Sequence, residues 1–386
     1  MQIDVGGSRV HDLQSLGQRV WLDGIYRGML NPTHRRLFGG SQFSHLISSD
    51  GICGVGFKLA DRAAAYSEDS VYREAVAKLL TAGATAGPIC ERLGIEDIGR
   101  TADQLRRVYE QTDGHDGYAS VALSPDFVHD ADGTETEARR LWNLIDAPNL
   151  MIKVPATDAG LLAIRRLIGA GLNVDASSIF GARRYQQVID AFLSGLEDRL
   201  AAGRPIDRIA SVASIFISRI DSMVDSELDA IQPPAKAVRA MRLRGRAAIA
   251  VARFAYQKYK SVTASPRWQY LAANHAQPQR LRWACTHTDD ARAGDVEYVN
   301  ALVGRDTITT MSLNTLDAYR DHGSVAPTLE RNLLDVCDVF AELAELGVDL
   351  DRVSVDLERD GINARATGIN IALARLGLRE PHQFVS

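Results

Sequence analysis

NLMIKVPATDAGLLAIRRLIGAGLNVDASSIF, residues 149–180, contains in one stretch the unit from which most of the chain is built. LMIKV (150–154) is an apolar run too short for a buried helix. Residues 158–171 follow, with apolar side chains three and four apart, and AGLLAIRRLIGAG ends in glycines as a helix C-terminus does. NVDASSI (173–179) then begins a second short run. Strand, helix and strand without a hairpin turn imply parallel neighbours in one sheet.

Moving outward, the same alternation recurs. Strands are expected at 20–23 (VWLD), 52–56 (ICGVG), 118–123 (YASVAL), 150–154, 173–179, 209–217 (IASVASIFI), 281–286 (LRWACT) and 307–311 (TITTM). Segments of helical period lie between them, 181–202 and 235–260 included. About eight such units predict an α/β fold closed as a (β/α)8 barrel. Residues 30–50 are polar and rich in His, Ser and Gly, and residues 66–115 look helical. LERNLLDVCDVFAELAELG (329–347) and INARATGINIALARLGL (362–378) read as amphipathic helices outside the barrel. No internal repeat, low-complexity tract or linker divides the chain. Residues 1–386 are therefore expected to form a single domain, with extra helices at 66–115 and 325–386.

The composition is that of an ordinary soluble protein: 386 residues, 46% hydrophobic and 24% charged. A net charge of -5 gives no overall field favouring nucleic acid. Arg239, Arg242, Arg244 and Arg246 form a local basic cluster, read as a solvated helix face. Cys53, Cys90, Cys285 and Cys337 match no zinc or redox spacing, so reduced, mostly buried thiols are expected. MQIDVGGSRVHDLQ does not resemble a signal peptide, and no run approaches the roughly eighteen apolar residues of a membrane span. A cytoplasmic protein, monomer or homodimer, with no membrane or nucleic-acid partner is the expectation.

In such barrels the active site lies at the C-terminal ends of the strands. The polar residues there are Asp23, Lys58, Lys153, Asp175, Ser177, Ser214, Arg219 and His287. Lys153 is the most informative, because a lysine in a strand buried on both faces is costly unless paired or neutral. Desolvation favours the neutral amine, the nucleophile that attacks a ketone or aldehyde. The alternative is a structural lysine paired with a carboxylate or reaching solvent at the strand end.

Residues 149–180 resemble the Schiff-base segment of transaldolases. SVASIFISRIDSMVD (211–225) is similar to their phosphate-binding strand and turn. RWQYLAANHAQPQRLRWACTHT (267–288) and DTITTMSLNTLDAYRDHG (306–323) resemble their last two strands. VWLDGIYRGML (20–30) with ISSDGICGV (47–55) resembles the first two, and the longer bacterial transaldolases are the nearest type. The resemblance implies a barrel enzyme of carbohydrate metabolism, in the pentose phosphate pathway. Such an enzyme moves a dihydroxyacetone unit between sugar phosphates, through an imine on Lys153 and with no metal or organic cofactor. It puts a proton-transfer and hydroxyl-binding group at Asp23, and phosphate contacts at Ser214 and Arg219.

Several positions depart from the family pattern. GVTSNP becomes GVGFKL, placing Lys58 where an Asn binds donor hydroxyls and Leu59 where a Pro stands. The third-strand glutamate becomes Ala122, which cannot accept a proton. An Asn and a Thr on strand five become Asp175 and Ser177. Ser177 keeps a hydroxyl for a catalytic water. Asp175 either takes over the lost proton work or forms an ion pair with Lys58 or Lys153. ASTGTK becomes ACTHTD, with Cys285, His287 and Asp289. Asp289 would repel a phosphate. His287 compensates, binds a hydroxyl or is a loop histidine in water. Lys58 beside Lys153 would favour the neutral form of one of them. The added charges point to a rebuilt pocket and a specialised substrate, as in secondary metabolism. The alternative is a non-catalytic sugar-phosphate-binding or scaffold protein.

Overall fold

Eight parallel strands pair in sequence order and β8 returns to β1, closing a barrel. They are β1 (Gln18–Asp23), β2 (Ile52–Phe57), β3 (Tyr118–Ala122), β4 (Leu150–Pro155), β5 (Val174–Ile179), β6 (Ser211–Phe216), β7 (Arg280–Ala284) and β8 (Thr307–Met311). The computed structural model describes residues 8–32, 40–57, 70–232, 234–288 and 294–361. The expected (β/α)8 architecture is the one observed, and every expected strand is present within a few residues.

The strands are apolar on both faces because both faces are covered. All six residues of β2 and of β5 are buried. One face meets the helices that follow the strands, such as Ala131–Ile145, Asp158–Ala170 and Ala182–Ala201. Thr157 caps the second of these by accepting from the Gly160 amide at 3.0 Å. Gly171, at φ 101°, ends it in the left-handed conformation.

The other face fills the barrel. Trp21, Tyr118, Met151, Val212 and Ile308 form an apolar cluster separate from the helix-side core. Gly54 makes this possible, because a Cβ there would lie 2.3 Å from the Trp21 ring. Below the cluster, at the N-terminal end, Asp116 accepts from Arg19 at 2.8 Å and from Arg280 at 2.9 Å. The apolar plug closes that end and leaves the opposite end for chemistry.

The described part of the 66–115 segment holds two helices, Ser70–Thr81 and Ala86–Gln111. A buried cluster fastens them to the chain after β1. Asp97 accepts from Arg27 Nε and from Tyr72 Oη, each at 2.6 Å, and the Arg27 amide donates to Tyr72 Oη at 3.0 Å. Leu334–Glu345 and residues 350–361 are helical after β8, whereas 362–378 lies outside the described residues.

One helical expectation is corrected. The 235–260 segment is two helices, Pro234–Leu243 and Ala247–Thr263. They part at Gly245, whose φ of 70° a continuous helix cannot accommodate. The basic cluster sits at this break: Arg239 pairs with Glu345 at 2.6 Å, Arg244 pairs with Asp229, and Arg242 and Arg246 are exposed. Of the cysteines, Cys53 and Cys285 are buried but Cys337 is exposed. No helix among the described residues is long and apolar enough to cross a membrane.

Candidate active site

Side chains alternate along a strand, so residues two apart share a face. The residues two beyond the apolar plug therefore also point into the barrel: Ser120 above Tyr118, Lys153 above Met151, Ser214 above Val212 and Thr310 above Ile308. The Asp175 carboxylate and the Arg282 guanidinium reach into the same layer. All six are buried. A polar layer thus sits on an apolar one, toward the C-terminal ends of the strands.

Asp175 is its centre. It is 0% exposed, and three groups donate to it. Ser214 Oγ donates to Oδ1 at 2.6 Å, and Ser120 Oγ to Oδ2 at 2.6 Å. Arg282 Nη2 lies 2.9 Å from Oδ2. Arg282 Nε also donates to Ser214 Oγ at 2.8 Å, so that hydroxyl both receives and gives. The Lys153 amine, on a residue 4% exposed, stands 3.7 Å from Asp175 Oδ2. That is an ion-pair distance but beyond a good hydrogen bond. Burial raises the Asp175 carboxyl, but Arg282 first, then Lys153 and the two serine hydroxyls, outweigh it and hold it below the usual carboxylate range.

Arg282 crosses the barrel from β7. Its guanidinium lies 5.0 Å from the Trp21 ring centroid, a cation stacked on an aromatic face. A Cβ at position 56 would sit 3.2 Å from Arg282 Nη1 and 3.5 Å from Lys153 Nζ, so Gly56 faces both cations. Arg282 Nη1 and Thr310 Oγ1 have no hydrogen-bond partner among the described residues.

The other expected site residues fall around this layer. Asp23 ends β1, half-buried, with its Cα in register with Gly56. Ala122 is the register partner of Lys153, so no carboxylate flanks the lysine from β3. Ser177 is fully buried, two residues beyond Asp175, with Oγ 3.4 Å from the Val154 carbonyl. Ser178 beyond it adopts φ 60°, where the β5–β6 register shifts. Arg219 is exposed in the helix Ile217–Asp229, whereas Ser214 is committed to Asp175 and Arg282. His287 is exposed after β7. Lys58, Leu59 and Asp289 lie outside the described residues. The structure thus brings Lys153, Asp175 and Ser214 together, with Asp23 and Ser177 on the same inward faces, and places Arg219 and His287 at the surface.

Arg282, Ser120 and Trp21 are absent from the sequence-based set. The signal for Arg282 was available, since a cation inside LRWACT carries the same burial cost that singles out Lys153. Ser120 and Trp21 carry no such signal. A described cavity of about 880 Å³, bordered by Asp113, Arg208, His275 and Pro278, lies at the N-terminal ends of the strands, away from Lys153.

Comparison with known sequences agrees with this architecture. Residues 20–375 match the family described as Transaldolase/Fructose-6-phosphate aldolase. A transaldolase of Frankia alni is 40% identical over 341 residues, covering 88% of this chain and 89% of that one. A transaldolase of a Parafrankia species is 41% identical over 340 residues, 88% and 89% of the two chains. One from Thiobacillus denitrificans is 38% identical over 340 residues, 88% and 91%.

Proposed function

The chain belongs to the transaldolase/fructose-6-phosphate aldolase family, and on that premise we propose that it is a transaldolase-type enzyme working through an imine on Lys153. The observation that carries this reading is the position of the Lys153 amine: inside the barrel, directly above the apolar plug, 3.7 Å from Asp175. Dry surroundings favour a neutral amine, and a neutral amine attacks a carbonyl carbon.

Lys153 Nζ adds to the ketone of the donor, and loss of water gives the iminium. The C–C bond between the α and β carbons then breaks, its electrons forming the C=C of an enamine as the C=N pair returns to nitrogen. A base takes the hydroxyl proton of the departing aldehyde. The enamine carbon then adds to an acceptor aldehyde, whose oxygen gains a proton, and water releases the product and the amine. Asp23 at the rim is the proton carrier in this scheme. Asp175, held ionised by Arg282, is a weak base and acts as the fixed charge of the centre. Ser177 positions the water. Arg219 and His287 bind the polar and anionic parts of a specialised sugar phosphate from the mouth, with Lys58, outside the described residues, as a further substrate-binding group. Without a glutamate at Ala122 the enamine has a second fate, protonation instead of addition. A time course with fructose 6-phosphate or sedoheptulose 7-phosphate, read by mass spectrometry, separates the two.

A second reading has its own support. Ser214 is turned onto Asp175 and Arg282 rather than toward a ligand. A sugar-phosphate-binding protein without turnover fits that arrangement. Borohydride trapping decides between the readings. An adduct on Lys153 with either ketose phosphate is expected of the enzyme, and its absence with every donor favours the binding protein.

A further inference from the structure

Three charged groups meet in the polar layer: Lys153, Arg282 and Asp175. Two are cations and one is an anion, and all three are buried. The close acceptor positions of the carboxylate are taken by Arg282 at 2.9 Å and by Ser120 and Ser214 at 2.6 Å, while Lys153 stands back at 3.7 Å. An arginine does not give up its proton in a protein, whereas a lysine does so readily when buried. Of the two cations, the lysine is therefore the one that discharges when the centre cannot hold both.

Other inward-facing groups of the described residues surround these three. From β3 come Ser120 and Ala122, from β6 Ser214, and from β8 Thr310, all uncharged. Asp23 of β1 is half-exposed at the rim, where solvent screens it.

We infer that Arg282 is a positioning residue for Lys153. It takes Asp175 as its own counter-ion, withdraws that carboxylate from the lysine, and adds a fixed positive charge beside the amine, so that Lys153 sheds its proton near neutral pH. The inference deepens the imine mechanism proposed above and rests on Lys153 being the nucleophile. It assigns to β7 a part in activating a group on β4, through the carboxylate between them on β5.

The test uses formaldehyde with borohydride on the full chain. Formaldehyde is the smallest aldehyde and needs no sugar-binding pocket. Labelling of the Lys153 peptide is followed by mass spectrometry against pH, with the other lysines as internal standards. The expected midpoint for Lys153 is well below that of the surface lysines. Arg282→Gln raises it by about one unit, which slows labelling near neutral pH about tenfold. Asp175→Asn moves it the other way, because the anion is lost and Arg282 stays. An Arg282→Gln midpoint within about 0.3 unit of the parent, in protein with a native circular dichroism spectrum, overturns the inference. If that variant does not fold, Asp175→Asn decides alone, and an unchanged or raised midpoint is the refuting result. Failure of Lys153 to label in the parent at any pH where surface lysines react also refutes it. If formaldehyde labels Lys153 with the expected shifts but no ketose phosphate is trapped, the sugar-phosphate reading fails and this one stands.

Discussion

Replacing Arg282 by Met tests whether the polar layer is held together as one unit. The substitution removes the 2.9 Å partner of Asp175, the 2.8 Å donor to Ser214 and the cation over Trp21. Asp175 is 0% exposed, so water cannot replace what is lost. Breaking a buried pair by removing one partner costs roughly 3–5 kcal/mol where the other charge keeps no cation near it; here Lys153, 3.7 Å from Asp175, offsets part of that cost, so the loss falls at the low end of this range. Asp175→Asn leaves Arg282, 2% exposed, in the converse position, at a similar cost of roughly 3–5 kcal/mol. Two independent losses would sum to about 6–10 kcal/mol. The double variant buries neither charge, so its loss falls short of that sum by about 2–3 kcal/mol, the coupling of residues in one network. Equilibrium urea unfolding measures all four proteins. Tryptophan fluorescence is a suitable probe, because Trp21 and Trp283 are both buried. Losses that add to within about 0.5 kcal/mol would mean that Arg282 and Asp175 do not share a network, and the site as described would be wrong.

Two further outcomes follow from other parts of the barrel. Gly54→Ala puts a methyl group 2.3 Å from the fully buried Trp21 ring; a loss of about 1–3 kcal/mol in the same unfolding assay is expected, and an unchanged midpoint would place Trp21 elsewhere. Asp221 accepts from the Ala248 amide at 2.8 Å and from Tyr298 Oη at 2.9 Å, yet burial pushes its carboxyl up to about 7. With the folded value raised, the contribution of this group is fully present below the unfolded value of 3.8 and is lost as pH rises through about 7. Asp221→Asn should therefore flatten the decline in stability between about pH 4 and pH 7, and a parallel pair of stability–pH curves would reject the assignment.

The fold was legible because it depends on patterns that a single strand or helix carries by itself. LMIKV, NVDASSI and TITTM are short, apolar and separated by amphipathic helices, and these features alone imply parallel strands with both faces covered. The break in 235–260 was not legible from periodicity, because both halves keep a helical period and only the positive φ of Gly245 separates them. Lys153 stood out for the same local reason as the strands, a charge within an apolar run. Ser214 was assigned from resemblance to a ligand contact, whereas its hydroxyl lies between Asp175 and Arg282. Which acceptor a serine finds is a property of its neighbours on other strands.

The site itself depends on inter-strand register, which no local pattern encodes. Lys153 lies beside Asp175 because Cα 153 pairs with Cα 175, and Ser214 lies beside Arg282 because Cα 214 pairs with Cα 282. Between these pairs, Asp175 is in register with Val212, one side-chain layer below Ser214. Arg282 therefore starts one layer above the register level of Asp175 and two strands away, and a long side chain is needed to join them. At roughly 4.8 Å between neighbouring strands, two strands are about 10 Å, a span that an extended arginine and a short carboxylate bridge and that serine or asparagine cannot. The length of Arg282 is thus what makes Asp175 tolerable in the centre of the barrel. Gly56 provides the last condition, since any larger residue there would meet Nη1 and the Lys153 amine together. A slip of one residue in β7 would turn Arg282 toward the helices and leave Asp175 with Lys153 as its cation. That would lock the amine in its charged form and remove the nucleophile.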